Sequence, residues 1–273
     1  MSVTLSNKVT TVEVEETSAR IVSLLGPSGY NWLATQGCFV MLPWVSRIRD
    51  GKFRFAAKAV SLPPNNNGDQ HPIHGHGWQR AWQTVKQTES ELRLAMDYPG
   101  QEWPWPYRAE VSFALANTLQ SALQIVVTIE NKGAATMPVG MGIHPYFSCR
   151  AGTTLSMNVA EQIVLDSELM YQSVAPFVEH FDGPILKAID SVYSGWDRTA
   201  VLQDERGESL LITADERFAN VIVYGDPAQE FLCIEPVNHV PNALNHPELN
   251  RAYGMDVLEP QMKLTGSVRL SIS

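Results

Sequence analysis

Along much of the chain apolar and polar residues alternate with a period of two, the spacing that sends one set of side chains toward a core and the other away from it. Leu92, Leu94 and Met96 alternate with Glu91, Arg93 and Asp97, and Val111, Phe113 and Leu115 with Glu110, Ser112 and Ala114. Leu123, Ile125, Val127 and Ile129 alternate with Gln124, Val126, Thr128 and Glu130. Residues 199–213 read as a hairpin turning at Asp204-Glu205-Arg206-Gly207. Further strands are expected at 221–224 and 231–234, and Val268, Leu270 and Ile272 alternate in the last segment. Long amphipathic helical stripes are missing; only 243–253, interrupted by Pro247, has room for a helical turn or two. Many strands without helices to cover parallel crossovers predict an all-β protein of antiparallel sheets packed on each other.

The Pro/Gly/Asn-rich segment 62–77 has the composition of a linker, but strands of similar character lie on both sides. It is read as a long loop inside one domain spanning 1–273, and long ordered loops in compact domains tend to be functional. A hydrophobic content of 44% is ample for a sizeable core, and β-sandwiches of this length occur as single units. No apolar run reaches the roughly 18 residues of a membrane span. Residues 1–16 are polar and lack the basic-then-apolar order of a secretion signal, so a cytoplasmic location is expected. Cys38, Cys149 and Cys233 are far apart and form no CxxC pair, which makes them candidate core fillers rather than a metal or redox set. The net charge of −9 argues against a nucleic-acid surface.

Several polar residues stand out against this apolar background. Arg47 lies in Met41-Leu42-Pro43-Trp44-Val45-Ser46-Arg47-Ile48, where an arginine either forks hydrogen bonds to ligand hydroxyls or packs its stem at the surface. His71, His74 and His76 fall close together in a glycine-rich stretch. Such a group prompts a metal hypothesis, and His74 and His76, with the later His144, loosely match the cupin pattern. The glutamate of that pattern fails, because Gln79, Arg80 and Ala81 stand where it should fall; no metal is expected, and His71 in particular reads as a histidine satisfied by backbone groups. His144, in Gly142-Ile143-His144-Pro145-Tyr146-Phe147, precedes proline and is therefore biased toward extended geometry. Glu235 ends the apolar run Phe231-Leu232-Cys233-Ile234, where an ionised carboxylate is costly unless paired, solvated or used. Partial burial would raise its pKa toward the range of a general base. Asp190 and Trp196 are individually unremarkable.

Taken in order, these segments resemble the aldose 1-epimerase (galactose mutarotase) family. The resemblance rests on Pro43 to Arg47, on Ile73-His74-Gly75 with Trp82 downstream, and on His144-Pro145-Tyr146-Phe147. It rests also on Asp190 with Tyr193, and on Ile234-Glu235-Pro236 followed by Pro241-Asn242-Ala243-Leu244-Asn245. The matches span about residues 20 to 270. The resemblance implies a β-supersandwich with a cleft across a sheet, His144 as acid, Glu235 as base, and Arg47, His74 and Asp190 holding an aldose by hydrogen bonds. Asp197 is the alternative for the aspartate. Arg198 follows Trp196-Asp197 where compact relatives often have glycine, which bears on the substrate more than on the chemistry.

Anomer interconversion removes a proton from the C1 hydroxyl and delivers one to the ring oxygen, so one base and one acid suffice and no cofactor is needed. The absence of a nucleotide-binding glycine motif is consistent with that. The two groups are expected to face a common pocket about a sugar ring's width apart, with nearby carboxylates raising the histidine's pKa. Two other readings remain: a hexose-6-phosphate epimerase, for which Arg47, Arg80 and Arg108 would supply the positive charge, and a sugar-binding protein without turnover. The partner in each is a small sugar, with no nucleic acid or membrane, and oligomeric state is left open.

Overall fold

The computed structural model describes residues 2–273 apart from 117–119, 151 and 186. Two large antiparallel sheets dominate, one of ten strands and one of nine, joined by two small two-stranded pairings. This is the expected all-β supersandwich. At the centre of the nine-stranded sheet lie Tyr107–Leu115, Ser121–Asn131 and Lys263–Ile272. Their registers put Ile125 opposite Phe113 on one side and Val268 on the other, so the alternating apolar residues form one continuous face. Every second residue is buried, as the period-two pattern requires.

The expected hairpin forms from Thr199–Gln203 and Ser209–Ala214, with Leu202 opposite Leu210. Its turn is held by Asp204 Oδ1, which accepts the N–H groups of Arg206 and Glu208. The helical expectation for 243–253 shrinks to one short turn, Ala243–Asn245. Three cysteines are buried and free. Strands at Ser2–Ser6, Thr11–Glu15, Arg20–Leu25 and Leu33–Met41 extend the ten-stranded sheet through a region that the alternation pattern had not assigned.

The ten-stranded sheet is what positions the site. Its middle runs in the order Leu33–Met41, Gly142–Ser148, Phe231–Val237, Asn220–Asp226 and Ile189–Ser194. One face of these strands enters the main core through Leu232, Ile234, Val221 and Val223. The opposite face carries a second apolar cluster that includes Met41, Val192, Ile222 and Val237. Strand Phe231–Val237 is therefore buried on both sides along its whole length, which explains why its sequence is a nearly unbroken apolar run.

Segment 62–77 is indeed a loop, and it returns to the sheet through bridges from Ile73 to Arg47 and from Gly75 to Leu42. Gly75 has φ +68°, and a Cβ there would stand 1.9 Å from Leu42 O. Gly75→Ala is expected to destabilise the fold by about 1–3 kcal/mol, read as a lower urea midpoint at unchanged m-value. A midpoint equal to that of the parent would mean the loop does not pack on Leu42 as described.

Candidate active site

Register alone brings the two candidate reacting groups together. Gly142 pairs with Val237 and Tyr146 with Cys233, so His144, midway between them, lies beside Glu235. Ile222 pairs with Glu235 on its other side, and His144 pairs with Phe39. The row Ile222, Glu235, His144, Phe39 thus crosses four strands on one face. Two residues along, Asp190, Tyr224, Cys233 and Tyr146 make a parallel row on that same face. All of these except Cys233 line a cavity of about 350 Å³, within the size range of small-molecule sites.

His144 Nε2 lies 3.3 Å from Glu235 Oε1, and the two side chains are 6% and 2% exposed. The expected common pocket is present, but the expected gap of a sugar ring's width is not: neighbouring strands hold the groups in direct contact. Burial pushes the His144 pKa down to about 3. Burial also pushes Glu235 well above the usual carboxylate range; the nearby Asp190 charge adds to the rise and Arg47 opposes it. This corrects the expectation that carboxylates raise the histidine, because the loss of water around a fully buried imidazole outweighs them. Both shifts favour the uncharged forms, a neutral imidazole beside a protonated carboxyl. Among the described residues, Glu235 Oε2 and His144 Nδ1 are buried without a hydrogen-bond partner.

Aromatic rings fix the imidazole. It stacks on Tyr146 at 4.6 Å and on Phe39 at 4.7 Å between centroids, and meets His74 edge-on at 5.0 Å. Phe39 in turn stacks on Trp78, which also lines the cavity.

His74 reaches the site from loop 62–77 through a left-handed backbone, φ +60°. Its Nδ1 accepts the Ser46 N–H at 3.1 Å, and its own N–H donates to Ser46 O at 3.1 Å. Burial, with the charges of His144 and Arg47, holds its pKa well below the usual value. The ring is therefore neutral, with its one proton on Nε2 as a donor. Arg47 Nε donates to Asp69 Oδ2 at 2.8 Å, which leaves the guanidinium's terminal nitrogens free of that bond. Burial works to raise the Asp69 carboxyl, but the His71 N–H and Arg47 outweigh it and hold the pKa below the usual value. Asp190 stands exposed at the pocket's mouth; desolvation against the wall raises its carboxyl and Arg47 opposes the rise.

His144, Glu235, Arg47, His74 and Asp190 all line the one cavity. Asp197 does not: its carboxylate bonds Asn158 and both the N–H and hydroxyl of Thr199, holding a turn. Trp196 is in the core, its Nε1 donating to Phe218 O. Arg80 lies over the Tyr98 ring and Arg108 pairs with Asp97 and Glu110; neither lines the cavity. The histidine cluster separates. His71 accepts the Asp50 N–H, His76 stacks on Tyr98, and His74 and His76 share no three-residue metal-ligating group among the described residues.

Sequence reasoning missed Phe39, Trp78, Tyr146 and Tyr224 as lining residues. Tyr146 was within reach, since it follows His144 by two on a strand and must share its face. Trp82, singled out instead, is buried with its Nε1 on Gly77 O.

The chain is similar in sequence and in fold to known proteins. The chain is 27% identical to the uncharacterized Escherichia coli protein YphB over 247 residues, 82% of this chain and 81% of that one. A crystal structure of an Escherichia coli K12 protein provisionally assigned as an aldose 1-epimerase superposes with a TM-score of 0.89 at 22% identity, covering 100% of this chain and 99% of the other. A galactose mutarotase-like protein from Clostridium acetobutylicum gives 0.85 at 17% identity, covering 100% and 95%. These likenesses show the fold. The family profile described as aldose 1-epimerase matches residues 1–271, and the chain belongs to that family.

Proposed function

We propose that the protein, acting as one domain, interconverts the α and β anomers of an unphosphorylated aldose by acid–base opening and closure of the pyranose ring. The observation that supports this most is the buried His144–Glu235 pair, 3.3 Å apart and opening on a cavity of about 350 Å³. A sugar's C1 hydroxyl and ring oxygen present one proton to be removed and one acceptor, and the pair supplies one base and one acid.

Hydroxyls of the bound sugar solvate the Glu235 carboxylate, which favours its ionised form and moves the carboxyl proton to His144 Nε2. Glu235 then takes the C1 hydroxyl proton while His144 gives its proton to the ring oxygen. The C1–O5 bond breaks, with its electrons going to O5, and C1 becomes an aldehyde. After rotation about C1–C2, O5 attacks the other face of C1; His144 recovers its proton and Glu235 returns the other to the former carbonyl oxygen. Neither oxidation nor a covalent enzyme intermediate is involved. Arg47, His74 Nε2–H and Asp190 hold the remaining hydroxyls.

The choice of a free sugar rests on charge. Arg47 is the one lysine or arginine among the described lining residues, and its Nε is bonded to Asp69, while Asp190 lines the same space. A phosphate dianion there would meet more negative than positive charge.

Glu235→Gln and His144→Asn are each expected to slow anomer exchange, followed by NMR or polarimetry, by about 10²–10⁴-fold. Full rate in both with the best aldose would sink the assigned roles. The free enzyme is active as a one-proton pair, so kcat/KM should fall as pH rises through the raised Glu235 pKa, and fall on the acid side only toward about pH 3, where His144 takes a second proton. Activity lost as pH drops through about 6.5 would contradict this. Across a panel of aldoses and their 6-phosphates, free sugars should give the higher kcat/KM; a preference for the phosphates would reverse the substrate assignment.

A further inference from the structure

His239 is a buried histidine that the proposed chemistry does not use. Its Nε2 accepts the Val45 N–H at 3.0 Å and its Nδ1 donates to Val240 O at 2.8 Å. Burial lowers its pKa to about 4, so the ring stays neutral and Nε2 remains an acceptor. Two neighbours on the same segment act alike. Asn238 Oδ1 accepts the Met141 N–H at 2.7 Å, and its own N–H returns to Met141 O. Asn242 Oδ1 accepts the Arg49 N–H at 3.0 Å, and its N–H donates to Arg47 O at 2.9 Å.

These residues are 2% (Asn238), 2% (His239) and 4% (Asn242) exposed. Buried polar groups must be satisfied, and here each accepts an amide proton from a distant part of the chain. Two of the three, His239 and Asn242, hold segment 43–49, which carries Arg47 and has little sheet pairing of its own: a bridge to Ile73 at Arg47 itself. Backbone bonds to loop 62–77 hold one side of it, His74 N–H to Ser46 O and Ile48 N–H to Pro72 O, while the amides of Val45 and Arg49 go to these two side chains. His239 also explains a glycine: a Cβ at Gly140 would stand 2.2 Å from His239 Nε2, and the Gly140 N–H donates to Pro43 O at 2.6 Å.

We propose that His239 and Asn242 are positioning residues for Arg47: through the Val45 and Arg49 amides they fix the backbone that aims its guanidinium at the sugar. The segment that follows the base's strand thereby sets the reach of the binding arginine. This rests on the reading of Arg47 as a substrate contact. His144 and Glu235 sit on directly paired strands and do not depend on segment 43–49 for their spacing, so misplacing Arg47 should weaken binding and leave the chemical step intact.

The test compares His239→Gln, whose amide oxygen can stand near the Nε2 position, with His239→Asn, which reaches only the Nδ1 position and loses the Val45 amide. Misplacement of a binding group by about 1 Å can cost as much as about 10²-fold; the expected result for His239→Asn is a KM about tenfold higher at near-parent kcat, with His239→Gln close to the parent. Asn242→Gly, which tolerates the φ of +60° and deletes the Arg49 acceptor, should show the same split and serves if His239→Asn does not fold. Added to Arg47→Ala, either change should raise KM no further. Equal KM in the two His239 variants, or a KM rise that adds to that of Arg47→Ala, would overturn the proposal. Arg47→Ala alone with parent KM is a separate failure, that of the arginine contact itself.

Discussion

Two ionisable groups buried side by side on neighbouring strands are the constraint on which this site depends. Taken separately, a buried carboxylate and a buried imidazolium would each cost several kcal/mol of lost hydration. Held 3.3 Å apart, Glu235 and His144 escape that cost when both are neutral. The distance comes from strand register rather than from loops, so it is as rigid as the sheet. That rigidity requires both faces of Phe231–Val237 to be covered, which the main core does on one side and the smaller apolar cluster on the other. The wide sheet and the reactive pair are thus consequences of one arrangement.

Around the pair, backbone regularity and charge are distributed unevenly. The floor is sheet and aromatic rings; the walls are Arg47 and His74, both on irregular backbone tied by side-chain hydrogen bonds. A sugar has apolar faces and a polar rim, and this pocket offers stacked rings below and hydrogen-bonding groups at its edge. Asp190 and the Arg47–Asp69 pair keep the entrance near neutral or negative, which suits an uncharged ligand.

Much of the architecture was legible because period-two alternation reports burial directly: the central strands of the nine-stranded sheet and the hairpin at 199–214 follow from it. The strands nearest the site were harder. Phe231–Val237 is buried on both faces, so its alternation vanishes, and Thr11–Glu15 alternates within a stretch whose overall polarity hides it. The candidate reacting residues could be named individually, and Glu235 was anomalous in its apolar run. Their contact distance and the direction of the His144 shift could not, since both depend on how completely neighbouring strands exclude water. Asp190 and Asp197 look alike in sequence; only the turn that consumes Asp197 separates them. Trp78 and Trp82 are distinguished in the same way, one turned to the cavity and the other to the core.

The rings against His144 have one more effect. Tyr146 and Phe39 stack on the imidazole and His74 meets its edge, so three rings hold it in place. In the proposed reaction, then, the same nitrogen serves opening and closing from one fixed point, and it is the opened sugar that must pivot. A stationary catalyst asks for a roomy chamber: the cavity has to admit the tumbling aldehyde end as well as the closed ring, and it must bind both products of that tumble from the same set of hydrogen-bonding groups.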